Sequence, residues 1–489
     1  MTPGPGCRIS TSRVRPRFPL TALLVLAAFG AAGAPAQGAP ARFVITDHGA
    51  VGDSVTVNTA AIQGAIDACA AAGGGVLVVP PGVFLSGALY FKPGVNLEVA
   101  KDAVLKSTNA MTDFPPVYTS WEGTERYWTA AFLNFVGMKD VAVSGEGMID
   151  GSGLSWPGSG GRARAAGGRR APPPAAAPAP EPLPKPEEVY PMPLPTTAAL
   201  NFGPTSGPLP PINAAGIPLL GGGGRLAPPR ALVFQNCTNV SVAGLHLVNP
   251  GRWGFVFIYC QNVVAADLTV RTDRYIPSSD GIDVCSCRDV QISRCDIACN
   301  DDNISIKAGK DADGLRVNRP AENITISDCT FGVGGGVAMG SEVTGSIRHV
   351  LVQRCKFTGT GSAARIKSQP SRGGVIEDIV FRDIQVADVA RAIDVDLEWR
   401  MVPPLAPAAR VLTLVRNVRL INFTGTAKSV GVIRGFQASP IRDFKFSGCQ
   451  VTAQSGLVLS NVQDFDPAGL ELKVAEGEPI IRQVAAALP

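Results

Sequence analysis

The chain has 489 residues, with 55 Gly, 41 Pro, 17% charged and 6% aromatic residues. Length alone would allow two to four domains. A composition poor in charge and rich in glycine instead suits many short strands and turns, and it speaks against long amphipathic helices. The formal charge of +4 includes four arginines in the first 36 residues, which hold no acid, so the remainder carries 4 − 4, about 0. That balance excludes a general polyanion binder and leaves no case for nucleic acid.

The N-terminus reads as a signal peptide, residues 1–36. Arg8, Arg13, Arg15 and Arg17 form a basic start, PLTALLVLAAFGAA a short apolar run, and Ala34-Pro35-Ala36 a small-residue cleavage site. The run is short for a membrane span, so a secreted or periplasmic protein is expected, with no membrane partner. A retained anchor is the alternative. Residues 37–156 then hold a capping helix and the first strand coils. Asn58-Thr59 should cap a helix through AAIQGAIDACAAA, with Ile62, Ile66 and Cys69 on one face and Gly73 as its stop. VLVVPPGVFLSGALYF and NLEVAKDAVLKS follow as coils. Residues 157–228 are rich in Pro, Ala and Gly and are expected to be a flexible insertion. Its Arg162, Arg164, Arg169 and Arg170 are read as a solvated loop, with contact to an anionic ligand as the alternative.

From 229 to 489 one unit recurs eight times, starting at Asn239, Asn262, Asp289, Asn323, His349, Asp378, Asn417 and Asp443. Counting from each start, positions +1, +3 and +6 are apolar or Cys in all eight, and +8 is apolar except at Gly425. Two short strands joined by a bend explain the shift from odd to even positions. Strand, bend, strand and turn repeated at this spacing predict an all-β fold, a parallel β-helix whose coils share one core. Cys295, Cys329, Cys355 and Cys449 fall at +6, and Cys237, Cys260 and Cys287 at −2. They should stack as small buried thiols; disulfides are the alternative in a secreted chain.

The chemistry points to residues 277–309. Asp280 precedes the strand GIDV, and Asp301-Asp302 precede NISI about one coil later. Neighbouring parallel strands lie about 4.8 Å apart, so the three carboxylates should converge on one outer face. Like charges so close raise one another's pKa. Inverting glycoside hydrolysis uses that, with one protonated acid and one ionised base flanking a linkage. On the same face, Ile366 points inward, so Arg365 and Lys367 point outward and suit a sugar carboxylate. The alternative is that they only neutralise the aspartates. Lys307 shares the face as a further substrate-binding candidate.

These segments resemble glycoside hydrolase family 28, the polygalacturonase family. The resemblance runs from DHGAVGD and GGGVLVVPPGVF through SSDGID, NDDNISIKAG, DADGLRVNRP, GSEVTG and RIKSQPSRGG. It implies a right-handed parallel β-helix without cofactor or metal. It also implies Asp301 as general acid, Asp280 and Asp302 as the pair activating water, and Arg365-Ile366-Lys367 as the site for a galacturonate carboxylate. The implied partner is an acidic plant-type polysaccharide such as pectin, bound by a monomer. The family's Asn-Thr before the first Asp is Ser278-Ser279 here, and its Gly-His-Gly is Gly334-Gly335-Gly336; His48, His246 and His349 lie elsewhere. A rhamnogalacturonan or decorated galacturonan is therefore an alternative substrate. A β-helix polysaccharide lyase, needing a Ca²⁺ site, and a non-catalytic pectin-binding protein are the alternative functions.

Overall fold

A computed structural model describes residues 40–156, 219–220, 225–226, 228–399 and 412–483. Apart from Pro40 they belong to one unit of the chain beginning at Ala41. The expected signal segment and most of the insertion, including its four arginines, lie outside the described residues.

All eight repeat starts share one backbone conformation, with φ between +52° and +58°. This left-handed region is tolerated best by Asn and Asp, which fill seven of the eight starts. Their side chains bond from coil to coil: Asn262 donates to Asn239 at 3.0 Å, and Asn323 to Asp289 at 2.9 Å. A second left-handed residue stands at +5 in every unit, from Gly244 to Gly448, at φ +52° to +79°. That residue is the bend at which the buried positions change from odd to even. Where it is Arg294 or Arg354, the guanidinium pairs at 2.7 Å with an Asp one coil earlier.

Between these corners the strands stack in parallel register. The +1 residues form one column, Val240, Val263, Val290, Ile324, Val350, Ile379, Val418 and Phe444, each the direct partner of the next. The described strands of the coil form one 32-stranded sheet wound on itself, the expected parallel β-helix. Its core is built from ladders of like residues. Phe91, Phe135, Phe234 and Phe257 stack with centroids 4.2, 4.6 and 5.1 Å apart. The ten described cysteines are buried free thiols. Two ladder contacts are the Cys260 amide to Cys287 Sγ at 3.2 Å and the Cys295 amide to Cys329 Sγ at 3.4 Å.

A helix at Thr59–Ala71 buries Ile62, Ala65, Ile66 and Cys69 against the first coils, as expected. Its cap differs. Asn58 makes no side-chain bond to the helix; it is buried and bonds Val51 and the Thr56 carbonyl instead, fastening the preceding loop. Pro116–Trp121 and Thr124–Thr129 are not coil strands but an antiparallel hairpin. Its two-residue turn, Glu122-Gly123, has φ +46° and +71°, the twist a tight hairpin requires. Within the expected flexible insertion, Leu219–Leu220 pairs antiparallel with Arg225–Leu226. No helix among the described residues is long and apolar enough to cross a membrane.

The one exception to the repeat has a steric cause. Gly425 lies at φ +135°, and a Cβ there would stand 1.8 Å from the Val386 carbonyl oxygen. Gly425→Ala should therefore destabilise the fold by about 1–3 kcal/mol, lowering the thermal midpoint by several degrees. An unchanged melting curve would contradict the close approach.

Candidate active site

Four adjacent strands carry the site: Ile282–Cys285, Ile304–Lys307, Val337–Met339 and Ser362–Lys367. Ile282 pairs with Ile304, Ile304 with Val337, and Val337 with Ala364. Ile282, Val284, Ile304, Ile306, Val337, Met339 and Ile366 fill the core. Alternation then sets Asp283, Lys307, Arg365 and Lys367 on the outer face. Just before the strands, the Gly281 amide donates to the Asp302 carbonyl at 3.0 Å, which sets Asp280 and Asp302 side by side on neighbouring coils. Buried Ser279 holds the first loop by donating to the Ile276 carbonyl at 2.9 Å. Asn303 holds the second: it donates to the Ile297 carbonyl at 2.9 Å and accepts from the Gly336 amide at 2.8 Å.

The structure thus brings together all six residues expected at the site, in unequal environments. Asp302 is fully buried and accepts from Lys367 Nζ at 2.6 Å and from an Arg365 terminal nitrogen at 3.1 Å. Burial would raise its pKa, but Lys367 and Arg365 outweigh it and hold the carboxyl below the ordinary range. Asp301, the least buried of the three and only partly exposed, is shifted upward by desolvation and by the charge of Asp302. Asp280 is pushed well above its usual value, by burial first and then by Asp283 and Asp301. Carboxyl groups whose pKa values are driven apart in this way divide into acid and base.

Lys307 is a counter-ion in this arrangement. Only 5% exposed, it lies 3.4 Å from Glu342, 3.8 Å from Asp283 and 3.9 Å from Asp280, with the Trp253 ring 4.8 Å away. Arg365 and Lys367 are engaged too, but asymmetrically. Arg365 bridges Asp302 and Asp394, 3.2 Å from the latter, and the Trp399 ring lies 4.8 Å from Arg365 and 5.6 Å from Lys367. The glycine run at 334–336 fits this crowding. A Cβ on Gly335 would stand 2.5 Å from Asp302 Oδ1 and 2.9 Å from an Arg365 nitrogen. Arg365 thus reaches the acid across the place a side chain would need. Among the described residues, no group of three or more His, Cys, Asp or Glu forms a candidate metal site.

Three features of the site escaped the sequence reading. Asp283 is fully buried and shifted upward to about 7 by desolvation; the alternation that identified Arg365 also turns it outward. Glu342, in GSEVTG, reaches back to Lys307 across a coil. The third is the hairpin. Its Trp121 stacks on Trp128 at 5.1 Å and on Trp253 at 4.6 Å. With Val233, Val256 and Ile258 these rings bury the outer face of the two coils preceding Asp280. Arg230 donates to the Ser120 carbonyl at 2.9 Å, Lys310 N–H to the Gly123 carbonyl at 3.0 Å, and Arg316 to Glu125 at 2.5 Å. The hairpin is thereby fastened over the coils that precede the carboxylate cluster. The alternating run VYTSW-EG-TERYWT is the signal that marks it.

Comparison with known proteins agrees with this geometry. The profile of Glycosyl hydrolases family 28 matches residues 223–468, half of the chain. An exo-poly-alpha-D-galacturonosidase of Dickeya chrysanthemi is 26% identical over 445 residues, 86% of this chain and 69% of that protein. A probable polygalacturonase of Vitis vinifera is 24% identical over 69% of this chain and 59% of its own length. Among solved structures, a hyperthermoactive exopolygalacturonase from Thermotoga maritima superposes with a TM-score of 0.72 at 26% identity, covering 91% of this chain and 93% of that one. A Yersinia enterocolitica family 28 exopolygalacturonase shares the fold at 21% identity, with a TM-score of 0.67 over 92% of this chain and 79% of that one. With the profile covering half its length and relatives of this kind along most of the chain, the chain belongs to glycosyl hydrolase family 28 and is a glycosidase.

Proposed function

We propose that this glycosidase hydrolyses α-linked, galacturonic-acid-containing polysaccharide of the pectin type by inversion, acting from the chain end. The observation that carries the chemistry is the opposed shift of two adjacent carboxyls, Asp301 upward and Asp302 downward. Asp301, protonated, donates to the oxygen of the leaving sugar. Asp302, ionised, accepts a proton from the attacking water, and neighbouring Asp280 helps to hold that water. Arg365 and Lys367 receive the uronate carboxylate of the sugar. Shared in that way, they hold Asp302 less strongly, which raises its basicity as substrate binds. Secretion through the N-terminal signal segment suits a polymer outside the cell.

Two observations support chain-end action. The hairpin and its tryptophans cover the outer face of the two coils preceding Asp280, over which a polymer extending to the N-terminal side would run. On the other side Arg365, Asp396 and Arg434 remain partly exposed. Two of the relatives are named as exo-acting enzymes. Polygalacturonate should therefore release monosaccharide from the outset, read by anion-exchange chromatography. Early release of mixed oligomers would contradict the chain-end reading.

Asp301→Asn should lower kcat by more than about a hundredfold with the fold intact; retained activity would refute the assigned acid. The rate should be bell-shaped in pH. Its acid limb appears as falling pH protonates Asp302, below the ordinary carboxylate range. Its alkaline limb appears as rising pH strips the proton from Asp301, above that range. A rate that climbs without a maximum to pH 8 would contradict the assignment. Lys367→Ala should weaken binding of free galacturonate by about tenfold while sparing a methyl-esterified ligand. Equal loss on both would count against carboxylate recognition.

A further inference from the structure

Arg365 is shared between Asp302 and a second carboxylate that the proposed chemistry does not use, Asp394 on the strand Val375–Asp396. Both contacts follow from the coil register. Ser305, Ala338, Arg365, Asp394 and Val432 form one outward column, each the direct partner of the next. Before Arg365 the column holds only small side chains, and Gly335 beside it adds none, so the guanidinium leans back to reach Asp302 at 3.1 Å. After Arg365 stands Asp394, one strand spacing away. Arg365 Nε lies 3.2 Å from it. That contact is one of charge, because among the described residues the buried Nε has no aligned hydrogen-bond partner. Asp394 is only 5% exposed and is fixed from its other side by half-exposed Arg391, which donates to it at 2.8 Å. Its neighbour on the next strand, Val432, carries no charge.

An arginine that gave its whole fork to Asp302 would stabilise the ionised carboxyl through two parallel bonds. Lys367 already donates to that carboxyl at 2.6 Å. A carboxylate held so strongly is a poor base, since its affinity for a proton falls as its partners multiply. Asp394 opposes this by drawing the guanidinium aside, which leaves one nitrogen for Asp302. We propose that Asp394 is a positioning residue that divides Arg365 between two carboxylates and so preserves the capacity of Asp302 to accept a proton from water. This rests on the reading of Asp302 as the base. The other charges facing Asp302 are Asp280 and Asp283 from the preceding coil, Asp301 and Lys307 from its own, and Lys367 from the strand of Arg365, with Glu342 beyond Lys307. None of them touches Asp394 among the described residues, so a change there reaches Asp302 through Arg365.

The test is the pH profile of kcat/KM on a soluble oligogalacturonate, whose acid limb reports the base of the free enzyme. The titration of the substrate is common to all variants. Asp394→Asn keeps the shape of the side chain and removes its charge. Loss of that anion and release of Arg365 towards Asp302 both favour the ionised base, so the acid limb should move down by about one pH unit. On the plateau kcat should fall about threefold, as a weaker base requires. Asp394→Glu should restore the limb. Arg391→Gln, at a half-exposed position, provides a second variant of opposite sign should the first fold poorly. Asp394 then acts on Arg365 undivided, and the limb should move up by about half a pH unit. A limb that stays in place in either variant would mean a purely structural role and would overturn the proposal. A limb that moves up in Asp394→Asn would mean that Arg365 had left the base, and would overturn it too. Asp302→Asn separates this inference from the reading beneath it. An active Asp302→Asn with the wild-type acid limb would overturn the assigned base and this inference with it. An inactive Asp302→Asn together with an unmoved limb in Asp394→Asn would overturn this inference alone.

Discussion

The hydrogen-bonded register between successive coils is the constraint on which the rest of the molecule depends. Once Ile282 pairs with Ile304 and Ile304 with Val337, every outward side chain has a neighbour one strand spacing away, about 4.8 Å. Columns of Val, Phe or Cys result inside the coil, and columns of charge outside it. The left-handed corners at the repeat starts and at +5 keep that register from slipping, because Asn and Asp both tolerate the backbone and bond to one another along the stack. Catalytic crowding is thus a by-product of the same geometry that builds the core.

Crowding of carboxylates would be untenable without cations from later coils. Asp280, Asp283, Asp302 and Glu342 are all nearly or fully buried. Lys307 lies among three of them, while Arg365 and Lys367, more than sixty residues further along the chain, grip Asp302. The cations do not neutralise evenly. Asp302 receives two direct contacts, and Asp301 beside it has no cation in contact among the described residues. That unevenness drives the pKa values of one Asp-Asp pair apart, Asp301 upward and Asp302 downward, and the proposed acid and base roles rest on it. It also gives Arg365 a structural duty that a glycine at 335 makes possible, since a side chain there would collide with both partners.

Much of this was legible in the residues. Period-two alternation within a repeating unit predicted the coil, the column-forming cysteines and the outward direction of Arg365 and Lys367. What escaped reading shares one physical trait: it depends on contacts between segments with no common period. The hairpin is fastened through Thr119 to Gln235, 116 residues away, and through Glu125 to Arg316, 191 residues away. Asn58 looked like a helix cap because local spacing allowed it, but a loop carbonyl and amide at Val51 claimed its side chain. Lys307 was expected on the outer face, and the carboxylates that surround it there, Asp283 and Glu342 on another coil, were not legible from its own segment.

The stereochemistry of the product tests the central claim most directly, because it reports whether acid and base act from opposite sides of one linkage. Proton NMR of an α-linked galacturonide during the first moments of hydrolysis distinguishes the newly formed anomer before mutarotation mixes the two. Acid and base roles divided between Asp301 and Asp302, with no covalent intermediate, predict that the β-anomer appears first. Initial release of the α-anomer would mean a covalent intermediate, and the division of roles between Asp301 and Asp302 would fall.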